Sequence, residues 1–179
     1  MSQERIFRIG EKMISLDRSV RIVEKALELR EQGLSQQDTA GKLQLDRSFV
    51  SRLESIGEIR KGSRVAVVGF PVANRDELND ICQQYGLDFF LVLNNRERWD
   101  LVRDSKALDF FNKMLELVTR LRQFDTLILI TSEKWFQLAE ALLDIQIVYL
   151  TLGPTPIETD RTVGVERLKN TLELVLRGE

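Results

Sequence analysis

Arg47, Ser48, Ser51 and Arg52 stand in the stretch DRSFVSRLES, interleaved with Val50 and Leu53. On a helical period the two apolar side chains share one face and the four polar ones lie opposite. Arginine donates two parallel hydrogen bonds to guanine O6 and N7, and serine contacts bases or phosphates flexibly. The spacing therefore predicts a short helix whose polar face suits a major groove. Arg60 and Lys61, in the basic connector IGEIRKGS, join this DNA-contacting set because lysine and arginine neutralise phosphates.

A second set lies further along. Short apolar runs end in Gly69-Phe70-Pro71, Asn94-Asn95, Thr131-Ser132 and Gly153-Pro154-Thr155. If those runs are parallel strands, their ends are where ligands bind in open α/β sheets. Asn94, Thr131, Ser132 and Thr155 are the candidate ligand-binding residues. Ser132 also precedes a helix, where free N–H groups attract an anion. Neither G-x-G-x-x-G nor a Walker A lysine loop is present, so no dinucleotide, NTP or other cofactor is expected.

The chain has no histidine, which removes the commonest general base and metal ligand and every Ser-His or Cys-His pair. The carboxylates are scattered and Cys82 falls inside an amphipathic stretch. No catalytic or metal-binding residue is assigned, and the expectation is a protein that is not an enzyme.

The elements that must position these residues change character near residue 62. Residues 5–15 read as a β-hairpin turning at Gly10-Glu11 or as a short helix. VRIVEKALELREQG, capped by Asp17 or Ser19, is a helix with Val20, Val23, Ala26, Leu27 and the stem of Arg30 inward, ended by Gly33. Ser35 caps a second helix, with Asp38 reaching back in a variant of the capping box. Thr39, Ala40 and Leu43 face inward and Leu45 fills the turn. Asp46 caps a third helix, with Val50 and Leu53 on its buried side and Phe49 nearby. Beyond the connector the order is β-α-β-α-β-α-β-α, with the long region after Asn94 read as two helices broken near Asp104-Ser105. That order implies a parallel sheet with helices on both faces.

SQQDTAGKLQLDRSFVSRLES resembles the helix-turn-helix of the phage-repressor-like, or Xre-type, transcriptional regulators, over residues 19–57. The resemblance implies that Ser35 is the cap, Gln36 a phosphate contact, and Arg47, Ser48 and Arg52 base-facing, with Leu53-Glu54 as the closing pair. The sequence departs from the pattern at Thr39, where a large apolar residue is usual, at Gln44, where glycine is usual, and at the exit Ser55-Ile56-Gly57.

Composition bounds the rest. Residues 1–62 carry 12 basic and 10 acidic side chains, residues 63–179 carry 14 and 18, so the net charge of −2 divides into +2 and −4. The mild asymmetry permits a polyanion at the N-terminal end. A single cysteine excludes an internal disulfide, and MSQERIFRIGEKMIS lacks the apolar core of a secretory signal, so a cytoplasmic location and no membrane are expected. Apolar residues of Ala107–Leu121 cover more than one helical stripe, which leaves room for a second subunit.

The fold expected is thus α plus α/β: a helix-turn-helix domain over 1–62, then a small Rossmann-like three-layer α/β domain over 63–179. The function expected is a transcriptional regulator that binds double-stranded DNA as a homodimer, with its α/β domain dimerising and sensing a small-molecule effector. An enzyme, or a protein-interaction adaptor built on the α/β domain, remains the alternative.

Overall fold

The computed structural model describes residues 5–58, 64–103 and 106–177. The chain divides into two compact units, Met1–Glu58 and Ile59–Glu179. Arg60, Lys61 and the break at Asp104-Ser105 lie outside the described residues.

The first unit opens with an antiparallel hairpin, β1 (Ile6–Ile9) and β2 (Lys12–Ser15), with Ile9 opposite Lys12. This settles the hairpin-or-helix choice. Gly10 adopts φ 61°, the left-handed conformation a two-residue turn requires. Helix α1 (Leu16–Glu31) starts earlier than either Asp17 or Ser19 would set it. Ser15, the last residue of the hairpin, caps it by accepting from Arg18 N at 3.1 Å. At its other end Gly33 N donates to Arg30 O and Leu34 N to Leu29 O, the paired bonds of a Schellman terminus.

Helices α2 (Gln36–Leu43) and α3 (Arg47–Gly57) follow and pack on each other and on α1. The Ser35 hydroxyl accepts from Asp38 N at 3.1 Å. The Asp38 carboxylate does not reach the Ser35 backbone; it accepts from the Ser35 hydroxyl at 2.6 Å. Asp46 occupies the N-cap of α3 but makes no side-chain capping bond. Buried in this unit are Ala26, Thr39, Ala40 and Val50. Val20, Leu27 and Phe49, expected inward or near the core, are exposed; the inward stripe of α1 instead runs through Ile22, Val23, Ala26 and Leu29.

The second unit is a four-stranded, all-parallel sheet in the order β4-β3-β5-β6. The strands are β3 (Val65–Gly69), β4 (Phe89–Val92), β5 (Thr126–Thr131) and β6 (Gln146–Thr151). They alternate with α4 (Arg75–Gln84), α5 (Asn95–Arg103), α6 (Ala107–Leu121), α7 (Glu133–Leu142) and α8 (Val165–Arg177). Period-two alternation sends Val65, Val67, Ile128 and Ile130 to one face, beneath Leu78 and Cys82 of α4 and Leu168 and Leu172 of α8. Ala66, Val68, Leu127 and Leu129 point to the other, beneath Leu121 of α6 and Phe136 and Ala139 of α7. With both faces covered, β3 and β5 are buried along their whole length, which explains their continuous apolar sequences. Cys82, on the inward side of α4, packs in the core, where burial pushes its thiol up to about 12.

Candidate functional site

In the first unit the polar face of α3 is built by its geometry. Val50 is 1% exposed and Leu53 half-buried, whereas Arg47, Ser48 and Arg52 are exposed and Ser51 half-buried. The turn that aims α3 depends on Gln44, which takes φ 54°, ψ 43°. Its N–H meets Gly41 O at 3.5 Å and Leu45 N meets Ala40 O at 2.9 Å, the same terminus that Gly33 makes after α1. A side chain in that conformation costs about 1 kcal/mol.

One carboxylate holds the three helices. Arg30 of α1 donates through Nε to Glu54 Oε1, and Gln36 of α2 donates through Nε2 to Glu54 Oε2 at 2.8 Å. Arg30 Nη1 also donates to the Leu34 carbonyl. The Arg30 hydrogen bond first, and the Gln36 bond second, hold the Glu54 carboxyl below the usual carboxylate value. Gln36 is therefore already engaged within the unit; its carbonyl oxygen and second N–H are the groups left for an outside contact.

Phe49, expected near the buried side of α3, is a residue whose exposure spacing did not foresee. It is 43% exposed on α3 between the two arginines in sequence.

In the second unit the strand order creates a crevice. β3 leads to α4 on one face and β5 leads to α7 on the other, so the chain leaves two adjacent strands in opposite directions. Thr131, Ser132 and Thr155 come together there with Pro71, Arg98, Trp135, Pro156 and Ile157 around a recess of about 120 Å³. The loop carrying Thr155 is strapped over the strand ends. Asn74 exchanges hydrogen bonds with the backbone of Val163, and Asn95 binds Glu158 O and Asp160 Oδ1.

Asn94 does not join them. Its side chain accepts from Glu97 N at 2.9 Å while Glu97 accepts from Asn94 N at 3.1 Å, a reciprocal capping box opening α5. Arg98 and Trp135 are the lining residues that sequence reasoning missed. The Arg98-Trp99 pair, in the first helix after a strand end, was the available signal.

Gly69 ends β3 beneath this crevice. A Cβ there would sit 3.3 Å from Ile130 Cβ and 3.4 Å from Val72 Cγ2. Among the described residues no group of three or more His, Cys, Asp or Glu could hold a metal ion. No helix among them is long and apolar enough to cross a membrane. No protein-family model, curated protein or solved structure matches the chain.

Proposed function

We propose that the chain is a sequence-specific, double-stranded-DNA-binding transcriptional regulator. In this reading α2 and α3 are a helix-turn-helix of Xre type, and the α/β unit is a Rossmann-like module that dimerises and senses a ligand. One observation carries it: α3 follows a left-handed bend at Gln44 and exposes Arg47, Ser48 and Arg52 opposite a buried Val50. The N-terminus of a recognition helix needs that combination to enter a major groove. The Arg30–Glu54–Gln36 bonds hold the recognition helix against the other two, so its side chains reach DNA in a fixed register.

Support for the dimer comes from α6. Phe110, Met114, Leu117 and Leu121 face the sheet side, yet Leu108, Phe111 and Leu115 are exposed along the opposite stripe. A second copy covering that stripe would present two recognition helices to two half-sites one turn apart.

A protein-binding adaptor has one observation in its favour, the exposure of Phe49 and Ile56 on α3. The two readings separate by salt. Phosphate contacts give affinity that falls linearly in log–log against salt concentration, and an apolar protein contact does not.

Selection of bound sites from random duplex DNA by the full-length chain is the test. Recovery of a palindromic site is expected, with Arg47→Ala and Arg52→Ala each weakening binding to it by about 1–3 kcal/mol and leaving Tm unchanged. Recovery of no site, or equal losses of folding stability in both variants, removes the DNA-binding reading.

A further inference from the structure

The covering of the α/β sheet is incomplete on the α5–α6 side. Beneath those helices lies a cavity of about 350 Å³ whose walls include Phe70, Trp99, Phe110, Met114 and Trp135, with Arg98 as its charged member. That is the size and lining of a small-molecule pocket, predominantly apolar with few polar groups. Arg98 and Trp135 line both this cavity and the polar recess at the ends of β3 and β5. An apolar chamber and a hydrogen-bonding chamber thus share two walls.

The recess is built for negative charge. Arg98 stands on one side, its Nη2 donating to Asn95 Oδ1 at 2.7 Å and its guanidinium lying over the Trp99 ring at 5.5 Å. On the other side α7 begins. Ser132 is its N-cap and lines the recess, and its hydroxyl makes no capping bond to the helix. A hydroxyl that opens onto the recess and is not spent on capping its helix is left to donate to or accept from a ligand there. The first N–H groups of α7 point out at the same end, where helix geometry leaves them unpaired. Glu133, the one acidic residue of that first turn, is exposed and accepts from Gln137 one turn along the helix.

We infer that the α/β unit binds a small amphipathic monocarboxylate, its aromatic or branched apolar body in the cavity under α5 and α6 and its carboxylate between Arg98 and the Ser132 end of α7. Arginine matches a carboxylate with two parallel hydrogen bonds, which an amide of the same shape cannot accept with equal strength. The rings of Phe70 and Trp135 already meet edge to face at 5.4 Å, and an aryl body would extend that cluster. This assignment deepens the sensor role proposed for the unit and rests on it, but its test contains no DNA. Its failure would leave the DNA-binding reading standing, and the reverse holds.

Trp99 and Trp135 are the chain's two tryptophans, and both wall the cavity. Intrinsic tryptophan fluorescence of the full-length protein therefore reports this site. The probes are 3-phenylpropionate, its amide 3-phenylpropanamide, and acetate, the head group alone. Saturable quenching or enhancement by 3-phenylpropionate is expected, at least tenfold tighter than with the amide and absent with acetate. Arg98→Met should bring the acid to within about threefold of the amide, and Ser132→Ala should weaken the acid severalfold while sparing the amide. No saturable change with 3-phenylpropionate overturns the inference, as does equal binding of acid and amide by the wild-type protein. Acetate binding as tightly as 3-phenylpropionate would also overturn it, because the cavity would then contribute nothing.

Discussion

The two units keep their shape by different means. The α/β unit buries two entire strands between helices, with Leu127, Ile128, Leu129 and Ile130 in unbroken succession at its centre. The helical unit buries Ala26, Thr39, Ala40 and Val50, all small side chains, and leaves Phe7, Ile9, Met13 and Leu27 exposed. Hydrophobic area is the main favourable term in the first. In the second, caps and one shared carboxylate carry a larger share. A unit so poor in buried area depends on single polar contacts in a way that a sheet does not. The same economy leaves Arg47, Ser48 and Arg52 of α3 exposed.

Substitutions can break that contrast. Ile128→Ala empties the middle of the sheet and should cost about 2–5 kcal/mol, read as an earlier urea midpoint of tryptophan fluorescence, since both tryptophans lie in that unit. The helical signal of residues 5–58 should survive it; a joint loss of far-UV ellipticity would show the units unfolding together.

Glu54→Ala is the counterpart on the other side. It strips Arg30 and Gln36 of their shared partner and should cost about 1.5–3 kcal/mol, because the bond from Arg30 is charge-assisted. Loss of helical ellipticity without a change in tryptophan fluorescence is the expected outcome. The same carboxyl gives a pH dependence. Its folded value lies below the ordinary 4.5, so its stabilising contribution is complete above pH 4.5 and is lost as pH falls through the depressed value. Glu54→Gln should remove that component from a series of melting curves taken between neutrality and the acid range. An unchanged acid slope in the variant would assign it to other carboxylates.

Two smaller effects sharpen the comparison. Thr39 is fully buried and its Oγ1 has no partner among the described residues, so Thr39→Val keeps the volume and should stabilise the unit by about 1 kcal/mol. Destabilisation instead would mean that the hydroxyl is satisfied in solution. Gln44→Gly relieves a left-handed side chain and should add up to about 1 kcal/mol, measured by urea unfolding. A loss there would place the residue in contacts beyond the turn.

Much of this architecture was legible along the chain. The run of strands and helices after the connector, the cap at Ser35, the start of α3 after Asp46 and the unusual turn at Gln44 follow from periodicity and local chemistry, which act over a few residues. Periodicity erred where competition was local but the outcome was not. Val20 and Leu27 occupy apolar positions of α1, yet the narrow contact with α2 and α3 reaches Ala26 and leaves them in solvent. Residues 5–15 read equally as hairpin or helix, because short apolar runs fit both periods.

What the sequence determined by itself is the order and type of most elements, since hydrogen bonding and side-chain period are properties of neighbouring residues. Only the tertiary structure decided the strand order β4-β3-β5-β6, and with it the company each strand end keeps. That order brought Arg98 and Trp135 to Thr131, Ser132 and Thr155, whereas Asn94 was withdrawn by a local capping box with Glu97. Residues from four separate strand ends meet through packing of distant apolar faces, and no local pattern encodes that meeting.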